Sequence, residues 1–136
     1  MDYQLTIWRG KPLPLIDDPS PEAIEEAINE LLPMEDHFVI LESGKKVANC
    51  SFIQTQIHDE KKDDNDTPII LFHVEVRFDY DKSLFKQYQT HISDIELVKK
   101  LFRMFALEVI PDVTGWIDIT NDLIRKREEK ASEQPS

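Results

Sequence analysis

Between Ile70 and Phe78 the side chains of Ile70, Phe72, Val74, Val76 and Phe78 alternate with those of His73, Glu75 and Arg77. An extended strand turns successive side chains to opposite faces, so this run presents one apolar and one polar surface. Such a segment belongs in a sheet with one face closed by a core and the other left open, which is the habit of antiparallel sheets. The strand is expected to begin at Pro68, with His73, Glu75 and Arg77 emerging together on its open side.

The rest of the chain supplies its neighbours. Tyr3 to Trp8 alternates as a first strand, ended by Gly10, Pro12 and Pro14. Ser20 suits an N-cap and Pro21 a first helical position, and Ile24, Ala27, Ile28, Leu31 and Leu32 then repeat at helical spacing until Pro33. Phe38 to Leu41 and Val47 to Ile57 read as a hairpin turning at Ser43-Gly44-Lys45, and Leu84 to Thr90 as a further strand. Ser93 and Glu96 match a capping box that opens a second amphipathic helix bearing Val98, Leu101, Phe102 and Phe105. That helix is expected to stop near Glu108, ahead of Val109-Ile110-Pro111. Trp116, Ile117 and Ile119 are expected to be buried, and Leu123 and Ile124 to begin a short C-terminal helix. This order predicts an α+β fold, a mainly antiparallel sheet of about five strands with two main helices packed on one face. Residues 1–130 are expected to form one domain and 131–136 a flexible tail.

Charge narrows the function classes. The formal net charge is −11, from 27 acidic and 16 basic side chains, and a field of that sign repels phosphate backbones and anionic membranes. Direct nucleic-acid and membrane binding are therefore not expected, whereas a basic protein partner would be drawn in. Cys50 is the only cysteine, which excludes an internal disulfide and a thiolate-rich metal site. Its place between Ala48 and Phe52 on a strand marks a buried, inert thiol. No stretch has the apolar length of a signal core or a membrane span, so the chain is expected to be cytoplasmic.

Motifs for catalysis or cofactors do not emerge. The three glycines, Gly10, Gly44 and Gly115, lie in no Gly-rich run, which removes the usual phosphate cradles. His37, His58, His73 and His91 show no His-Glu-x-x-His pattern or other metal-ligand spacing, so neither metal nor cofactor is expected. His58 to Asp66 is rich in oxygen ligands but lacks the glycine and distal glutamate of a calcium loop, and reads as a solvated hairpin loop. Two surfaces remain. One is a polar patch in which Gln54 and Gln56 of one strand meet His73, Glu75 and Arg77 of the next, with Glu75 able to act as a base. The other is the acidic run from Asp17 to Asp36, which holds eight carboxylates and no lysine or arginine. Asp17, Asp18, Glu22, Glu25, Glu26 and Glu30 form its partner-binding candidates, and on the helix like charges three and four apart oppose one another.

The ordered segments Ile16 to Ile28, Phe38-Val39-Ile40-Leu41-Glu42, Phe52-Ile53-Gln54 and Val74-Glu75-Val76-Arg77 carry a family likeness. Followed by a Tyr-containing segment and the helix from Asp94 to Phe105, this succession resembles small acidic immunity proteins of bacterial polymorphic-toxin systems over residues 16–107. It departs from them in the turn between the early strands, where an expected Gly-rich stretch is reduced to Gly44. The resemblance implies a non-catalytic protein that binds and occludes a basic toxin, often a nuclease. From the residues alone, two other classes stay open: a small enzyme or ligand-binding domain built on the polar patch, and a homo-oligomeric structural or assembly accessory protein.

Overall fold

The computed structural model describes residues 3–62, 64–81 and 83–133. The elements run β1 (Tyr3–Arg9), β2 (Ile16–Asp17), α1 (Pro21–Asn29), β3 (His37–Val47), β4 (Cys50–Lys62), β5 (Pro68–Asp79), β6 (Phe85–Ile92), α2 (Ile95–Ala106), β7 (Ile117–Asp118) and α3 (Thr120–Glu133). The fold is α+β, with a sheet ordered β2-β1-β3-β4-β5-β6-β7 in which every pairing is antiparallel. Its seven strands correct the expected count of about five. The additional strands, β2 and β7, are two residues long and lie at the two edges, where short strands limit pairing with another chain.

Alternation sorts the central strands as expected. Leu5, Val39, Leu41, Ile53, Phe72, Val74 and Val76 are buried in one cluster with Ile24, Ala27 and Ile28 of α1 and Val98, Phe102 and Phe105 of α2. Phe102 and Phe105 are closed off from solvent, whereas Leu101, on the edge of the same stripe, is half-buried. Each fully buried side chain of this size stabilises the fold by roughly 1.5 to 3 kcal/mol. Tyr3 ties the start of β1 to the last turn of α2: its ring meets Phe105 edge-on, and its hydroxyl donates to the Phe105 carbonyl at 2.9 Å.

Local chemistry moves several boundaries. Ser20 caps α1 as expected, its hydroxyl accepting from the Ala23 amide at 3.1 Å, but the helix closes at Glu30 and leaves Leu32 exposed. The N-cap of α2 is Asp94 and not Ser93, because the Asp94 carboxylate accepts from the Glu96 amide at 3.0 Å. α2 ends in a Schellman arrangement, with the Glu108 amide on Phe105 O and the Val109 amide on Met104 O, and Glu108 takes a left-handed φ of 64°.

The first long hairpin turns at Ala48 and Asn49, both at positive φ, and not at Ser43-Gly44-Lys45. Two successive left-handed residues give the primed turn that matches strand twist. Gly44 lies instead where the β3–β4 register shifts between Glu42 and Val47. The expected loop from His58 to Asp66 is largely strand, since β4 continues to Lys62. Of its residues, Asp63 lies outside the described ones. Ile117 is exposed, contrary to expectation, while Ile119 is buried and Trp116 half-buried. The C-terminal helix is longer than expected and takes in residues 131–133 of the anticipated tail; Gln134 to Ser136 lie outside the described residues. Among the described residues no helix is long and apolar enough to cross a membrane.

Candidate functional site: an open sheet face and an acidic corner

The polar patch assembles by register. Gln54 stands opposite Glu75 and Gln56 opposite His73 across β4 and β5, while Gln89 and His91 of β6 stand opposite Glu75 and His73 from the other side. His73 Nε2 lies 3.5 Å from Glu75 Oε2, and both side chains are largely buried, at 13% and 14% exposure. Gln87, itself buried, donates to Glu75 Oε1 at 3.3 Å. Arg77 does not join this pair. Its Nε donates to Asp79 Oδ1 at 3.0 Å and its guanidinium lies 4.1 Å from the Phe85 ring centroid, so it serves the neighbouring turn of the sheet.

Beside this pair the fold gathers three histidines that linear spacing does not connect. His58, His73 and His91 come from β4, β5 and β6, and one ring nitrogen of each falls within 4.8 Å of the other two. His73 Nδ1 and His91 Nε2 are 3.1 Å apart, and the His58 and His91 rings stack with centroids 4.3 Å apart. His58 sits where the β4–β5 register shifts between Ile57 and Asp59, a bulge that takes it out of one-to-one pairing. Thr55, fully buried on the core side, donates to the His73 carbonyl at 3.0 Å and fixes the backbone from which His73 projects. A polar hollow of about 420 Å³ adjoins His58, lined also by Gln56, Glu35 and Asp36. The fourth histidine, His37, begins β3, and its Nδ1 is buried without a hydrogen-bond partner among the described residues.

The acidic run occupies β2, α1 and their flanks. Its carboxylates are unequal. Glu25 bridges to Arg103 of α2 at 3.2 Å and Glu30 pairs with Arg9, while Asp17 accepts from the Gln4 amide group and Asp18 from the Tyr3 backbone, both at 3.2 Å. Glu22 and Glu26 are exposed and form no ion pair among the described residues. Between α1 and the end of α2 lies a cavity of about 280 Å³ whose walls include Tyr3, Pro21, Ile24 and Ala106, and whose charged members are two acids, Asp18 and Glu25, and two bases, Lys99 and Arg103. Leu107 stands at the same cavity and is 70% exposed. Sequence reasoning found the carboxylates but not the cavity, because it depends on where α1 meets α2.

Cys50 is fully buried, and burial pushes its thiol pKa up to about 12, which disfavours the thiolate that a nucleophile needs. No protein-family model, curated protein or solved structure matches the chain.

Proposed function

We propose that this chain is a non-catalytic protein-binding module that engages a basic protein partner at its acidic corner, in the manner of the toxin-neutralising proteins its sequence resembles. The observation that carries this reading is the apolar cavity beside the acidic helix face, rimmed by Asp18 and Glu25 as well as Lys99 and Arg103, with Leu107 exposed beside it. Its apolar lining suits the anchoring side chain of a partner. Glu22 and Glu26, which form no ion pair among the described residues, provide charge that steers a basic partner, while Glu25 and Glu30, already bridged to arginines, contribute less. Pairing of His73 with Glu75, and of Arg77 with Asp79, leaves the alternative of a catalytic His/Glu/Arg set without its third member.

Capture from an extract of the source cells, with the partner identified and binding measured by calorimetry, tests the reading. Leu107→Arg should weaken that complex by about tenfold or more with an unchanged thermal midpoint, because Leu107 is exposed in the free protein. An acidic partner, or full affinity in Leu107→Arg, would contradict it.

A further inference from the structure

We infer that His58, His73 and His91 form a binding site for a divalent late transition metal ion of the zinc class. The ligand chemistry comes first. Three imidazoles with no thiolate among them suit zinc, nickel or copper, and leave a fourth position for water or an incoming donor. In a tetrahedral zinc site, bonds of about 2.0 to 2.1 Å put nitrogen donors about 3.3 Å apart. His73 Nδ1 and His91 Nε2, 3.1 Å apart, already stand at that spacing. The limit of 4.8 Å for the set means that completing the triangle takes at most a side-chain adjustment of His58, which is exposed and lies on a bulge.

The surroundings supply an independent indication. His73 presents Nδ1 to the cluster and Nε2 to Glu75, the arrangement in which a carboxylate fixes the tautomer and orientation of a metal-bound imidazole. Glu75 is in turn held by Gln87. Among the described residues the only ion-pair partner of this largely buried carboxylate is His73. A metal cation on His73 would place a positive charge beside this largely buried carboxylate. The site spans three adjacent strands on the open face, so an ion there would clamp β4, β5 and β6 together. It owes nothing to the acidic corner, and either proposal can fail without the other.

Calorimetric titration of tag-free protein with ZnCl₂ in a non-chelating buffer is the direct test, followed by imidazole NMR of the same sample. One ion per chain is expected, with micromolar or tighter affinity and with the ring resonances of His58, His73 and His91 shifting while those of His37 stay in place. His91→Ala, at an exposed position, should abolish the saturable isotherm. Glu75→Gln should weaken it by about tenfold to a hundredfold. Glu22→Gln/Glu26→Gln should bind zinc as the native chain does, which separates the histidine site from diffuse binding to carboxylates. Absence of saturable binding, an isotherm unaffected by His91→Ala, or unmoved histidine resonances would overturn the assignment.

Discussion

Asp118 shows how much one side chain can organise at the point where the sheet gives way to α3. Its Oδ1 accepts from the Thr120 amide at 2.9 Å, and the Thr120 hydroxyl in turn accepts from the Gln87 amide at 2.9 Å, so the start of α3 is tied to β6. Hydrogen bonds from Thr120, with a smaller contribution from the Lys86 charge, hold the Asp118 carboxyl below the usual carboxylate range. A carboxyl with a depressed folded-state value favours folding at pH above its unfolded value, and the benefit is lost as pH falls through the folded one. Native protein should therefore be more stable than Asp118→Asn at neutral pH, and the gap between their urea midpoints should close in acid below that depressed value. A gap that persisted unchanged into strong acid would show that the ionised carboxylate is not what secures α3.

At the scale of elements, the positions with left-handed backbone are where residue type and conformation disagree. Ala48 holds a φ of 49° in the β3–β4 turn and Glu108 a φ of 64° after α2, both places where Asn or Gly is at ease. Ala48→Asn and Glu108→Gly should each raise stability by about 0.5 to 1 kcal/mol in chemical denaturation, the second also by removing an anion from the carboxyl end of a helix. A loss of stability in Ala48→Asn would mean that the hairpin does not turn there. The same disagreement explains what the sequence left unread. Gly44 is the conspicuous turn residue of this stretch, whereas an Ala-Asn pair gives little turn signal. β2 and β7 are too short for any period to register. By contrast β5, which alternates from Phe72 to Phe78, and α1, with its Ser20 cap and regular stripe, are legible in the sequence, although Ile70 at the start of β5 is exposed. The histidine cluster was illegible for another reason: its members meet only through strand register and a bulge, and neither is written in linear spacing.

Across the whole molecule, charge is unevenly mixed. Carboxylates stand without lysine or arginine from Asp17 to Asp36, whereas α3 balances Arg125, Lys126, Arg127 and Lys130 with Asp122, Glu128, Glu129 and Glu133. A one-sided run of this kind attracts a basic partner, and its influence appears in association rates more than in the stability of the free protein. The composition disclosed the sign of the field; the fold discloses that Arg9 and Arg103 quench part of it and that Glu22 and Glu26 are left to act. Stopped-flow association of the captured partner with native protein and with Glu22→Lys/Glu26→Lys, each followed from low to high salt, measures that field where it matters. A native rate that falls steeply with salt, and a variant rate about tenfold lower at low salt with a flattened slope, is the expected result. Equal rates and equal salt slopes for the two proteins would contradict an acidic corner that recruits a basic partner.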